Sequence, residues 1–248
     1  RRRHSRFVML GHEAYLRALR SDGLAFAKAA QSAVNAAVPG CPGWTMRDLV
    51  VHITEVHAFW NFIARTGMAG PEQYERPDDA PETELMTTYL EGLDALIASL
   101  TSTDATSPCW TWDGPHDIAW ITRRMAQEMA VHAWDARTAA ADSAPIGAEM
   151  ASDGIDEFVH MMLRYPMPDS QVLAGSVHLH CTDVDGEWLI VPNGDEVAGD
   201  PSGAAGVKGE VDNHWGDVFG AATLGTLGML LASRLRSIEN FATVMNFV

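Results

Sequence analysis

Residues 123–136 read RRMAQEMAVHAWDA. Glu128 and His132 stand four apart, so on a helix they share one face. Ile121, Met125 and Ala136 fall on the same face, following the 3–4 steps of a core stripe. An acid and an imidazole are therefore expected to point inward. A buried, unpaired carboxylate costs several kcal/mol, a large part of the roughly 5–15 kcal/mol that holds a domain together. Glu128 must be protonated, paired with a cation, or bound to a divalent metal. Arg124, at i−4, can reach it; Arg123, five residues away, is poorly placed.

The next informative stretch lies upstream, VPGCPGWTMRDLVVHITEVHAFW at 38–60. Thr45 with Asp48 three residues on predicts a capping box and a helix start. Leu49, Ile53, Val56, Phe59, Trp60 and Ile63 form its apolar side, and Gly67 and Gly70 its stop. His52 sits among these apolar residues. A single histidine there is ordinarily a satisfied core residue, but a second helix brings Glu128 and His132 on its own inward face. Two facing helices would then supply His, Glu and His, a donor set suited to a divalent metal, most often zinc, with one position open. The ion pair with Arg124 stays open beside it. His57, five residues past His52, is expected to face solvent. Asp135 either orients a ligand or closes the polar face. Trp44, Trp60, Trp110, Trp112, Trp120 and Trp134 cluster near the two helices, as core or as walls of a cleft.

Further helices are expected at 12–38, stopped by Pro39, Gly40, Pro42 and Gly43, and at 82–100, 117–141 and 146–164. The pattern to Pro166 is that of an up-and-down bundle. Beyond it, VLAGSVHLHC (172–181) and EWLIV (187–191) read as strands joined by a DVDG turn, with a further strand at 204–211 and helix in the last 35 residues. The fold class is α+β, with a bundle at 12–166 and a small α+β domain at 167–248. His178 and His180 share a strand face, where a structural role outweighs chelation.

Composition limits the function. The chain has 248 residues, 47% hydrophobic, with 33 acidic against 17 basic residues and a net charge of −16. Four of the bases lie in RRRHSR at the start, which reads as an unfolded tail. So acidic a body repels phosphate, and neither nucleic acid nor an anionic membrane is an expected partner. No apolar run approaches the roughly 18 residues of a membrane span. Cys41, Cys109 and Cys181 form no CxxC; they are expected to be reduced thiols of a cytoplasmic protein.

The two quoted motifs resemble those of the mycothiol-dependent maleylpyruvate isomerase family. There a Pro-Gly-Trp-Thr turn leads a helix with a metal-binding histidine, and a later helix carries Glu and His four apart with Asp three further on. The resemblance implies a DinB-like metal-binding four-helix bundle followed by a small α/β, sterol-carrier-like domain. It carries His52, Glu128 and His132 onto the family's three zinc ligands. It implies a metal- and mycothiol-dependent enzyme, an isomerase or thiol S-transferase acting on a small electrophile with a zinc-bound thiolate as nucleophile. The partners are then a small substrate and a low-molecular-weight thiol, with the protein a monomer or weak homodimer. DNHWGDVFGAATLGTLGMLL (212–231) lacks the Trp-Gly-Arg whose arginine contacts substrate in relatives; Arg234 and Arg236 are the replacements at hand. The alternatives are a hydrolase or lyase using metal-bound water, and a non-enzymatic small-ligand-binding protein.

Overall fold

The computed structural model describes residues 9–68, 70–142, 144–161, 177–181, 183–190 and 207–211. These include helices α1 (His12–Ser32), α2 (Met46–Thr66), α3 (Leu85–Ser102), α4 (Ile118–Ala139) and α5 (Ala148–His160). Two-residue strands β1 (Pro108–Cys109) and β2 (His116–Asp117) pair antiparallel just before α4. Strands β3 (Val177–Cys181), β4 (Glu187–Ile190) and β5 (Val207–Val211) form a sheet in the order β4-β3-β5. The class is α+β, as expected. The chain groups into two compact units, Gly11–Ala144 and the residues from Pro145 on. From sequence α5 counts with the bundle; by contact it belongs to the second unit.

Helices α1 to α4 make the bundle, but not with up-and-down connectivity. α1 lies against α4 and α3, and α2 against α3 and α4, which leaves α1 and α2 on a diagonal. Short loops force consecutive helices to be neighbours. The connections at 33–45 and 103–117 are long enough to cross the end of the bundle. This crossing brings α2 beside α4. The core between the helices includes Leu19, Phe26, Leu49, Ile53, Ile63, Leu93, Leu96 and Ile121, all fully buried.

α1 ends at Ser32 rather than at Val38. Pro39 pushes the residue before it out of the helical region. Residues 36–38 instead meet 44–46 across the Pro-Gly turn: Met46 N donates to Ala36 O at 2.8 Å and Val38 N to Trp44 O at 3.0 Å. This small closed loop presents Thr45 as the N-cap of α2. The Thr45 amide donates to Asp48 Oδ2 at 2.8 Å, and the Asp48 amide to Thr45 Oγ1 at 3.4 Å, completing the capping box.

In the second unit, β3 runs antiparallel to β4 and parallel to β5. The hairpin closes with Cys181 N donating to Gly186 O at 2.9 Å. α5 is tied to it by Ser152 Oγ donating to Asp185 O at 3.0 Å and Trp188 Nε1 to Asp156 Oδ1 at 3.1 Å. A Cβ at Gly186 would lie 2.6 Å from the Trp188 ring, so no larger residue fits. The expected C-terminal helix, and the Arg234 and Arg236 singled out from sequence, lie outside the described residues. Among the described residues no helix is long and apolar enough to cross a membrane.

The cap leads to a stability prediction. Thr45→Ala removes the oxygen that accepts from Asp48 N and should lower stability by about 1 kcal/mol, read by urea denaturation. Hydrogen bonds from Thr45 hold the Asp48 carboxyl below its ordinary value, so this contribution is lost as pH falls through the folded-state value.

Candidate metal centre

The crossing of α2 beside α4 sets His52 against the Glu128–His132 pair. His52 Nε2 is 3.5 Å from Glu128 Oε1, and His132 Nε2 is 3.3 Å from the same oxygen. The imidazoles meet edge to face with centroids 5.4 Å apart. One donor atom from each of the three residues lies within 4.8 Å of the other two. All three side chains are partly accessible, 14–19% exposed. Trp44 stands edge-on to His52 at 5.2 Å, forming a wall on that side.

Glu128 uses its second oxygen elsewhere. Arg124, nearly buried, donates from Nη2 to Glu128 Oε2 at 2.6 Å. The ion pair and the metal were alternatives from sequence; here they occupy different oxygens and are compatible. Burial alone would raise the Glu128 carboxyl, but Arg124, His132 and His52 outweigh it and hold it well below the usual range. Burial would likewise lower His132, yet hydrogen bonds with Asp135, Cys41 and Glu128 raise it well above an ordinary histidine.

The donors fit a divalent metal. Four-coordinate sites with bonds of about 2.0–2.2 Å place neighbouring ligand atoms about 3.3–3.6 Å apart, and the two histidine-to-glutamate separations fall in that interval. His132 Nδ1 is 3.0 Å from Asp135 Oδ2, so Nδ1 carries a proton donated to that carboxylate, and it is Nε2, 3.3 Å from Glu128 Oε1, that would give up its proton and offer its lone pair to a metal. Three protein donors with a fourth position free is the arrangement of catalytic rather than structural metal sites. A second group, Cys41, His132 and Asp135, is the other such cluster among the described residues.

His57 departs from expectation. It is 1% exposed rather than solvent-facing. Five helical positions turn it about 140° from His52, toward α3, where its ring lies 5.5 Å from that of Tyr89. Because α2 is covered by both α3 and α4, it has two buried faces. The signal was present: Val50, Ile53, His57, Trp60 and Ala64 follow 3-4-3-4 steps and are all buried. Cys41, which nothing in the local sequence marks as a site neighbour, has its Sγ 3.9 Å from Asp135 Oδ2. Cys41, Cys109 and Cys181 are buried thiols. The remaining tryptophans are mostly scaffold, with Trp60, Trp112 and His116 packed around Trp120. The side chains of His178 and His180 lie outside the described residues.

A helical bundle with an inward His–Glu–His set defines the class of the first unit, and comparison with known proteins places it further. Residues 16–137 match the family model described as the mycothiol maleylpyruvate isomerase N-terminal domain. The helical unit is thereby a DinB-like bundle of that family's N-terminal kind. Among solved structures, the mycothiol-dependent maleylpyruvate isomerase is similar at 14% identity and a TM-score of 0.56, over 75% of this chain and 83% of that one. A histidine-to-alanine mutant of that enzyme is similar at 13% identity, with the same TM-score and coverage. No curated protein matches the chain.

His57 yields a pH prediction. Burial pushes its imidazole down to about 3, against an opposing contribution from Glu128. The unfolded chain protonates this histidine near pH 6.5 and the folded chain does not. Stability should therefore fall as pH drops below about 6.5, by about 1.4 kcal/mol per pH unit from this group. Urea denaturation from pH 7.5 to 4.5 should show His57→Leu losing less stability than the native chain; parallel losses would contradict the assignment.

Proposed function

We propose that this chain is a metal-dependent, mycothiol-dependent enzyme that acts on a small electrophilic substrate, as an isomerase or a thiol S-transferase. The observation that carries the reading is the convergence of His52, Glu128 and His132 inside a unit of the mycothiol maleylpyruvate isomerase N-terminal domain family. His52 Nε2, Glu128 Oε1 and His132 Nε2 are the proposed ligands, and zinc is the ion best matched to two imidazoles and one carboxylate. When bound, the ion supplies positive charge at an open position, lowering the pKa of a thiol there so that thiolate forms at neutral pH.

The chain's own residues prepare that chemistry. Arg124 balances the Glu128 charge through Oε2, so a divalent ion would keep most of its charge for an anionic fourth ligand. Asp135 keeps the His132 ring proton at Nδ1, away from the donors. The Trp44 ring covers one flank of His52 and would shield an entering thiol from water. Neither Cys109 nor Cys181 suits the part of nucleophile: burial pushes the Cys109 thiol up to about 11 and raises Cys181. The added thiol attacks an electrophilic carbon. Addition to a double bond conjugated to a carbonyl breaks its π bond and moves the electron pair to the carbonyl oxygen. Return of that pair with expulsion of the same thiolate, after rotation about the new single bond, gives isomerisation, whereas protonation of the adduct at carbon, or displacement of a leaving group from a saturated carbon, gives S-transfer. The neighbours' substrate, maleylpyruvate, is one member of the electrophile class to test.

Purification without a metal-affinity tag, followed by elemental mass spectrometry, should find about one zinc per chain, lost in His52→Ala and His132→Ala. Turnover of maleylpyruvate and of simple alkylating electrophiles should require both the metal and mycothiol. Metal-dependent turnover without thiol would favour hydrolysis or elimination with metal-bound water. Absence of metal from the native chain, even after zinc is supplied, would overturn the reading.

A further inference from the structure

Asp135 is not one of the three converging donors, yet it is buried at 5% exposure beside them. Its Oδ2 lies 3.0 Å from His132 Nδ1, and the Cys41 thiol reaches the same oxygen at 3.9 Å. Its Oδ1 faces Gly40. A Cβ built on residue 40 would stand 2.1 Å from that oxygen, far inside any non-bonded contact. Gly40 and Cys41 belong to the turn between α1 and α2, which is held by Cys41 N donating to Val38 O at 3.1 Å and Trp44 N to Cys41 O at 3.0 Å. The carboxylate is thus wedged between a histidine of α4 and a backbone stretch without a side chain.

We propose that Asp135, seated by the Gly40–Cys41 turn, is a positioning residue for His132, and that residue 40 must be glycine for it to do so. The inference rests on the metal reading above. A neutral imidazole carries one N–H, and the bond to Asp135 fixes it at Nδ1, so that Nε2 presents its lone pair to the site. Without that bond the ring is free to turn about its side-chain torsions and to carry its proton on either nitrogen. A methyl group at residue 40 displaces the Asp135 carboxylate, to which the three atoms nearest it all belong, and breaks the bond indirectly. The turn therefore does two tasks: it starts α2, which carries His52, and it orients His132 on α4.

The test uses the full chain as native protein, Asp135→Asn, Asp135→Ala and Gly40→Ala. Zinc affinity is measured by competition with a chromophoric chelator, and the His132 Nδ1 proton by NMR of the metal-free protein. Asp135→Ala and Gly40→Ala should weaken zinc binding by about 10–100-fold with helical circular dichroism unchanged, and the protected downfield Nδ1 proton should disappear. Asp135→Asn, whose amide oxygen still accepts, should retain the proton and fall between. Should Asp135→Ala fail to fold, Gly40→Ala and Asp135→Asn carry the comparison. Native affinity and a retained Nδ1 proton in folded Gly40→Ala would overturn the proposal. If the native chain binds no zinc, the metal reading fails, and the Nδ1 proton alone decides the clamp: loss in the alanine variants upholds it and persistence overturns it.

Discussion

Glu128 divides its two carboxylate oxygens between Arg124 on its own helix and the histidines on either side, and the architecture of the helical unit follows from that division. A carboxylate in this position is tolerable only with a cation beside it. Arg124 supplies one from the preceding turn of α4, so the acid can stay ionised with Oε1 directed at His52 and His132. Those two histidines come from different helices, so the arrangement exists only if α2 and α4 are neighbours. The diagonal crossing from α1 to α2 makes them so. Leu49, Ile53 and Ile63 of α2 and Ile121 and Met125 of α4 are all buried in the core of that unit.

The connection at 33–45 does more than link helices. Its Pro-Gly turn ends α1 early, pairs with the residues that cap α2, and lies against Asp135. Local backbone chemistry at one loop thus reaches both halves of the donor set. The capping box sets where α2 begins and so the rotation at which His52 emerges. The close approach at Gly40 reaches His132 through Asp135. Such coupling between a scaffold turn and ligand orientation is the usual means of holding a reactive site to the tolerance that chemistry needs.

Much of this was legible in the sequence because it depends on short-range rules. The Thr45–Asp48 box, the i,i+4 relation of Glu128 and His132, and the apolar stripe around His52 are all local, and each appears where expected. What was not legible depends on which elements meet. A single buried face on α2 would leave His57 in solvent, whereas α3 and α4 cover two faces; its own 3-4-3-4 stripe carries the answer. The bundle's connectivity turned on loops long enough to permit either arrangement. α5 has the same helical signal in either unit, and its place with the sheet comes from Ser152 and Trp188 contacts that periodicity does not encode. Cys41 and Gly40 looked like ordinary turn residues, because nothing in the local sequence says that Asp135 lies opposite them.

The central claim is that His52, Glu128 and His132 hold one divalent ion with a position open to a thiol. X-ray absorption at the zinc edge, recorded on the zinc-loaded full chain before and after adding mycothiol, tests it most directly. The account predicts a first shell of nitrogen and oxygen alone at about 2.0–2.1 Å, with one sulfur at about 2.3 Å appearing only with the thiol. A sulfur ligand present before thiol is added would place Cys41 in the metal shell. A shell unchanged by mycothiol would remove the thiol from the site. Either result would contradict the account.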